Sequence, residues 1–206
     1  MNNKNVFITN IFTNINFNFS ITEVKDVFAS PRYVFAAVKQ DGSVTTWGKA
    51  DYGGDSSGVQ DQLSSGVKEI VGNFYAMAAI KEDGSVVTWG RENYGGDSSI
   101  VSSQLSSGVK KIVATNYAFA AIKEDGSVVV WGDKDYGGDV SQVVDQLGSN
   151  VIDIISNDHC FAAIKSDGKV ITWGIENNIR FGVHCVCLCL SLCVCLCHCA
   201  CMSLCV

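Results

Sequence analysis

Few side chains in this sequence could take part in covalent chemistry, and the most suggestive pair is His159 beside Cys160. They are the only histidine and the only cysteine between residues 21 and 178. A nucleophilic thiol needs a base within hydrogen-bond reach. Neighbouring residues of a β-strand point to opposite faces of the sheet, so this pair is a poor dyad if it lies in a strand.

Motifs that identify common enzyme classes are absent from the sequence. It contains no G-x-x-x-x-G-K phosphate loop, no G-x-S-x-G nucleophile turn and no H-E-x-x-H zinc motif. We therefore predict no catalytic residue and no cofactor, and we expect that the protein is not an enzyme.

Aspartates recur at regular intervals and could be read as metal ligands. Four of them precede glycine, at Asp41, Asp83, Asp125 and Asp167. The tripeptide Gly-Gly-Asp recurs at 53–55, 95–97 and 137–139. Asp-Gly is typical of tight turns, and calcium needs about six or more oxygens from a dense acidic loop. We therefore predict turns and caps at these positions, and no metal site.

Lysine also recurs at one place in each unit of this pattern, at Lys39, Lys81, Lys123 and Lys165. We predict that these lysines pair with acidic neighbours at the ends of strands. Such exposed pairs contribute well under about 1 kcal/mol each, so their expected role is minor.

The size and charge of the chain narrow the range of partners. Its 206 residues are 47% hydrophobic, which is enough for one sizeable core or two small ones. Residues 21–178 carry 13 basic and 21 acidic side chains, and the net charge of the whole chain is −6. This excess of negative charge argues against nucleic acid as the main partner, because phosphates attract lysine and arginine.

An internal repeat of 42 residues supplies the elements that must position these side chains. The four tryptophans of the chain precede glycine at this spacing, at Trp47, Trp89, Trp131 and Trp173. The repeated units begin at Lys25, Val67, Val109 and Val151. The fourth unit lacks the Tyr-Gly-Gly-Asp segment of the others. A fixed period of this length is typical of repeat folds, whose units bury their faces by stacking on neighbours.

Each unit predicts three antiparallel strands. In the second unit Asp83-Gly84 separates two β-rich segments, 76–81 and 86–89, because Asp-Gly favours a hairpin turn with positive φ. A third strand precedes them at 67–71, and Trp89 is predicted to lie between adjacent sheets. The sequence therefore predicts an all-β, β-propeller-like repeat array of about four blades, as an open arc or a fragment of a longer protein.

The motif AAIKEDGSVVTWG, which ends at Trp89-Gly90 and has related copies across residues 24–178, resembles the blades of the regulator of chromosome condensation family. The resemblance implies a β-propeller that contacts other proteins. Two features depart from the family pattern. The usual histidine before the alanine-rich strand is Tyr33, Tyr75 and Tyr117 here, and occurs only as His159. The segment 95–98, Gly-Gly-Asp-Ser, replaces the usual Gly-Gln-Leu-Gly.

Three functions stay open at this point. The first is a non-enzymatic protein-interaction module, either by itself or as a fragment of a ubiquitin ligase. The second is a guanine-nucleotide exchange factor for a small GTPase, which is the activity of the family's founding member; the loops that carry it have no residue-by-residue match here. The third is a membrane-tethered repeat protein.

Positions that differ between units mark the surface where a protein partner is expected, because positions shared by all units serve packing or turn geometry. They follow each Trp-Gly, and they include the pairs 73–74, 115–116 and 157–158. Loops on one rim of a propeller commonly carry binding, although drift of solvated loops is the alternative. The predicted partner-binding residues are Lys49, Asp51, Tyr52, Arg91, Glu92, Tyr94, Lys134, Asp135 and Tyr136.

Two terminal segments differ from the repeat body of residues 21–178. Residues 1–20 are rich in asparagine, and the alternation from Ile15 to Ile21 predicts an extra strand. Residues 179–206 hold nine of the ten cysteines, and no charged residue follows Gly182. This tail is a low-complexity artefact of the gene model, a membrane anchor or a metal-binding segment. The body is expected in the cytoplasm or nucleus, or at a membrane if the tail is an anchor.

Overall fold

A computed structural model of the chain describes residues 24–175 and two strands near the N-terminus. These strands, β1 (Asn5–Thr9) and β2 (Asn16–Ser20), pair antiparallel. The second lies inside the segment 15–21 that the alternating pattern predicts as a strand. The cysteine-rich tail 179–206, with its three interpretations, lies outside the described residues.

The repeat body forms four antiparallel three-stranded sheets, or blades, one from each unit. The order of strands within each sheet follows the chain. The strands are β3 (Val24–Ala29), β4 (Val34–Lys39) and β5 (Val44–Gly48); β6 (Val67–Gly72), β7 (Ala76–Lys81) and β8 (Val86–Gly90); β9 (Val109–Ala114), β10 (Ala118–Lys123) and β11 (Val128–Gly132); β12 (Val151–Ser156), β13 (Cys160–Lys165) and β14 (Val170–Gly174). The predicted all-β, partial β-propeller architecture is confirmed. A single short α-helix, α1 (Val144–Leu147), occurs among the described residues.

The Asp-Gly dipeptides turn each blade from its second to its third strand, as predicted. Gly84 has φ +77°, and the amide of Ser85 donates to the Asp83 carboxylate at 2.9 Å. The glycines at the three corresponding turns have φ of +76°, +77° and +83°. The recurring aspartates therefore fix hairpin geometry.

The blades pack on one another through their tryptophans, as the sequence predicts. The four indoles are 4–8% exposed. Three of them donate the indole N–H to a glycine carbonyl of the preceding blade at 2.9–3.1 Å, in the pairs Trp89–Gly53, Trp131–Gly95 and Trp173–Gly137. The ring of Phe119 stacks on Trp131 with centroids 5.3 Å apart. Phe119 and Trp131 are cross-strand neighbours within one blade, and both pack in one buried cluster with residues of the preceding blade such as Ala78.

The first glycine of each Gly-Gly pair allows the close approach between blades, and the second allows the loop to fold onto its own backbone. A Cβ on Gly95 would lie 2.6 Å from a ring carbon of Phe119 in the next blade. A Cβ on Gly96 would lie 2.4 Å from the carbonyl oxygen of Gly90. No side chain fits at either place. The prediction of a turn at Gly-Gly-Asp is confirmed by the φ of +98° at Gly95 and by the amide of Ser99, which donates to the Asp97 carboxylate at 2.8 Å.

The prediction that the recurring lysines pair with acidic neighbours is wrong for three of the four. Lys81, Lys123 and Lys165 donate their ammonium groups to main-chain carbonyls at 2.6–2.8 Å. The acceptors lie 19 residues earlier, at Gln62, Gln104 and Gln146. These lysines therefore provide hydrogen-bond donors for main-chain carbonyls of the polar segment that leads from one blade into the next. Strand order alone does not indicate this long-range contact.

Candidate functional site

The nine predicted partner-binding residues all lie in three equivalent loops on one rim of the blades. Each loop follows the last strand of a blade and contains a 3-10 turn, at Ala50–Tyr52, Glu92–Tyr94 or Lys134–Tyr136. The charged residues of the set are exposed, and the three tyrosines are half-buried. The structure therefore brings the predicted residues to one side of the molecule.

A left-handed glycine folds each loop back over the start of the middle strand of its blade. Gly90 has φ +104°, and a Cβ there would lie 2.7 Å from the carbonyl oxygen of Tyr75. The next residue, Arg91, donates its amide to that same carbonyl at 2.8 Å. The corresponding amides of Lys49 and Asp133 bond to the carbonyls of the tyrosines preceding β4 and β10, each at 3.0 Å. The Trp-Gly dipeptide thus positions the loop as well as the indole.

This folding places all six tyrosines of the chain in one continuous series of ring contacts. The members of this tyrosine row, in order, are Tyr33, Tyr52, Tyr75, Tyr94, Tyr117 and Tyr136, followed by His159. Neighbouring centroids are 4.3–6.3 Å apart. Only Tyr33, at 55% exposure, stands well out of the surface among the tyrosines. The row crosses all four blades.

Four of the seven rings of the row, one in each blade, are absent from the predicted set. Tyr33, Tyr75, Tyr117 and His159 each precede the middle strand of a blade, at the position of the family's usual histidine, which only the fourth blade retains. Their 42-residue spacing was a signal that a second aromatic position recurs. The contact between these rings and the tyrosines of the loops, Tyr52, Tyr94 and Tyr136, depends on the folded-back loop.

Cations lie over one end of the row. The guanidinium of Arg91 lies 5.5–5.9 Å from the ring centroids of Tyr52, Tyr75 and Tyr94. The ammonium of Lys49 lies 3.9 Å from the centroid of Tyr52. Arg32 lies 4.4 Å above the ring of Phe74. Such contacts stabilise a cation by about 0.5–1 kcal/mol at exposed sites.

One phenol of the row, that of Tyr117, has an altered acidity. Burial raises the pKa of Tyr117, and the neighbouring Tyr75 and Tyr136 act in the same direction. Arg32 acts against them. The phenol therefore stays protonated near neutral pH and remains available as a hydrogen-bond donor.

Buried polar side chains hold the rim in place, and this corrects one part of the sequence analysis. Asn73, predicted among the variable partner-facing positions, is 1% exposed. Its amide donates to the carbonyl of Tyr94 at 2.7 Å, and its oxygen accepts from the amides of Tyr75 and Ala76 at 2.8 Å. Thr115, 3% exposed, donates to the carbonyl of Tyr136 at 3.0 Å in the next blade. Both residues connect a loop tyrosine to the start of a middle strand, and neither faces a partner.

The residues considered for chemistry lie apart from one another. His159 is exposed at the end of the row, with its ring 5.3 Å from Tyr136, whereas Cys160 is buried. The hydroxyl and amide of Ser85 lower the pKa of Asp83, at the end of the blade opposite to the tyrosine row. In residues 24–175, no three acidic, histidine or cysteine side chains come together as a metal site would require. Nor does any helix in the described ranges have the length and apolarity needed to cross a membrane.

Comparisons with known proteins establish the fold. No family model and no curated protein matches the sequence. Among solved structures, yeast RCC1 (Prp20) bound to Kap60 superposes with a TM-score of 0.53 at 15% identity, over 78% of this chain and 46% of that one. Prp20p from Saccharomyces cerevisiae, described with its binding to Gsp1p and histones, gives 0.50 at 20% identity, over 73% and 43%.

These likenesses confirm the predicted architecture. The blades have the β-propeller fold of the regulator of chromosome condensation proteins. The chain spans less than half the length of either of those proteins.

Proposed function

We propose that this protein is a non-enzymatic protein-interaction module whose partner contacts the tyrosine row and the loops around it. The observation that carries the proposal is the collection of all six tyrosines on one rim, half-exposed and in mutual contact. Tyrosine offers a large apolar ring with a polar end at low conformational cost, and it is enriched where proteins bind one another.

The contrast between constant residues in the blade interfaces and variable residues in the loops supports this proposal. Residues between the blades are the same or similar in every unit, whereas the loop residues Lys49, Arg91 and Asp133 differ in charge at one equivalent position. A requirement of folding would act on all units alike. Variation of charge on a constant aromatic base is expected of a surface that one partner contacts at several different points.

The fold is compatible with protein partners. The solved proteins that share it are described with Kap60, Gsp1p and histones, all of them proteins. We further propose that the module works in the cytoplasm or nucleus. Nucleotide exchange on a small GTPase is the second candidate, because Prp20p is described as binding Gsp1p. Saturable acceleration of nucleotide release from a small GTPase by this protein would favour that candidate.

The test compares two variants of the full chain in quantitative affinity purification. The rim variant carries Tyr52→Ser, Tyr94→Ser and Tyr136→Ser. The control carries Glu82→Ser and Glu124→Ser, at exposed turns on the opposite end of the blades. We expect the wild type and the control to retain the same partner protein, and the rim variant to lose it while still folded by circular dichroism. Retention of that partner by the folded rim variant would overturn the proposal.

A further inference from the structure

The repeat makes it possible to compare two equivalent aromatic clusters within one chain. The first cluster is formed by Tyr52, Tyr75 and Tyr94. A shift of 42 residues leads to the second cluster, formed by Tyr94, Tyr117 and Tyr136. Centroid distances between successive rings are 4.6 and 4.9 Å in the first and 5.4 and 4.3 Å in the second. The two clusters are therefore similar in composition and spacing.

The two clusters differ in the side chain that accompanies them. Arg91 covers the first cluster, with its guanidinium within 5.9 Å of all three centroids. The residue at the same backbone position of the second cluster is Asp133, whose amide bonds to Tyr117 as that of Arg91 bonds to Tyr75. Among residues 24–175, no cation lies over the rings of Tyr117 or Tyr136. An aspartate thus occupies the backbone position at which the first cluster has its own arginine.

We propose that the second cluster, Tyr94, Tyr117 and Tyr136 with Asp133, binds an arginine side chain of a partner protein. Aromatic faces attract cations, and a nearby carboxylate strengthens that attraction. The first cluster is the internal example of the occupied state, with the arginine supplied by the chain itself. This inference rests on the proposed function, because it names the group on the partner that the tyrosine row recognises.

The geometry favours arginine over lysine. The planar guanidinium of Arg91 lies near three rings at once, whereas the ammonium of Lys49 lies over the single ring of Tyr52. Guanidinium stacks on aromatic rings and pairs with a carboxylate through two parallel hydrogen bonds, which a compact ammonium cannot do.

The charges around the second cluster also favour a cation. Its own loop carries Asp133 and Asp135 against Lys134. Two cations oppose them: Arg91, whose guanidinium lies 5.9 Å from the centroid of Tyr94, and Arg32, which lies over Phe74, whose ring contacts Tyr117 at 5.8 Å. The carboxylate of Asp133 accepts the amide of Asp135 at 2.9 Å, which leaves other acceptor positions on its two oxygens.

The test is an NMR titration of the full chain with the peptide acetyl-Gly-Arg-Gly-amide, observed at the tyrosine rings. We expect saturable shifts at Tyr117 and Tyr136 with a dissociation constant on the order of 1–10 mM. The peptides with glutamine or lysine in place of arginine are the controls, and both are expected to bind at least about threefold more weakly. Equal binding of the glutamine peptide, or no saturable shift, would overturn the proposal.

Two exchanges between the clusters sharpen this test. Asp133→Arg should fill the second cluster from within and weaken peptide binding by about tenfold or more. The variant is expected to fold, because the equivalent turns after Lys49 and Arg91 form without a side-chain cap. The reverse exchange, Arg91→Asp, should create a second peptide site, with shifts at Tyr52 and Tyr75. Unchanged binding by Asp133→Arg would contradict the assignment.

The outcomes separate this inference from the function on which it rests. If the wild type binds no arginine peptide but the rim variant still loses its protein partner, the arginine site is wrong and the interaction surface stands. If the peptide binds as expected but the rim variant keeps the partner, the proposed function fails.

Discussion

The interfaces between blades and the tyrosine row are both aromatic and both repeat every 42 residues, yet they differ in what they tolerate. Between blades, each tryptophan is 4–8% exposed and follows an equivalent Asp-Gly turn. On the row, the rings are half-buried, and the residue after each Trp-Gly changes from Lys49 to Arg91 to Asp133. Close packing of buried side chains restricts which residues can occupy the interfaces between blades, whereas contact with solvent leaves the residues of the row free to vary.

This contrast teaches how one repeat carries two roles. Trp89-Gly90 belongs to both regions, because the indole packs against the preceding blade while the left-handed glycine turns the loop onto Tyr75. Packing between blades thus holds the loops at constant positions, and the variable side chains act on that frame.

The largest effect that would test this contrast is Trp89→Ala. The substitution removes a buried ring and its hydrogen bond to Gly53, and we expect it to lower the free energy of unfolding by about 3–5 kcal/mol. Arg91→Ala, two residues away on the exposed loop, should cost at most about 1 kcal/mol, because it removes only exposed contacts with three rings. Urea unfolding followed by circular dichroism measures both. Equal shifts of the two midpoints would refute the inward and outward assignments.

A second comparison sets Gly84→Val against Gly168→Val. Both glycines have positive φ, +77° and +83°, so both substitutions strain the backbone by about 1–3 kcal/mol. At Gly84 the new Cβ would also lie 2.6 Å from the amide nitrogen of Gly108, whereas at Gly168 no atom lies within 4 Å. We therefore expect Gly84→Val to be the more destabilising by about 1–3 kcal/mol in thermal or urea unfolding. If the two variants unfold together, contact between blades at this turn does not matter.

A third comparison concerns the link between the two regions. Asn73→Ala leaves the amides of Tyr75 and Ala76 and the carbonyl of Tyr94 without their buried partner, and should cost about 1–3 kcal/mol. Asn73→Thr is the matched control, since Thr115 fills this role in the next blade with a hydrogen bond of 3.0 Å to Tyr136. We expect threonine to restore most of the stability in the same unfolding measurement. Failure of that rescue would indicate that the two units hold their rims differently.

Much of the blade architecture could be predicted from the sequence. The segment 76–81 is predicted as a strand and is observed as β7, and the segment 67–71 differs by one residue from β6. Asp83-Gly84 is predicted as a turn and is observed as one. These features depend on residues close together in the chain, through alternation of side chains and the positive φ that glycine permits.

The site could be predicted only in part. The sequence predicts Tyr52, Tyr94 and Tyr136 because they lie in variable loops, whereas Tyr75 and Tyr117 stand out only as departures from a family pattern. The prediction that Asn73 and Thr115 face a partner is wrong, because two different side chains make equivalent buried hydrogen bonds. Each accepts an amide at the start of the middle strand and donates to the carbonyl of a loop tyrosine. The sequence predicts that Lys81 and Lys123 pair with acidic neighbours, but their acceptors are main-chain carbonyls in the segment before the blade.

By itself the sequence determined the period and the spacing of the tryptophans, which are visible in the order of residues, and the hairpins, which local interactions at Asp-Gly set. Only the tertiary structure decided which aromatic rings meet and which charge accompanies each cluster. Rings such as Tyr117 and Tyr136 lie 19 residues apart, and their contact at 4.3 Å exists because a glycine turns one loop back over its own sheet. Packing of stacked blades places that loop, and no local pattern encodes the result.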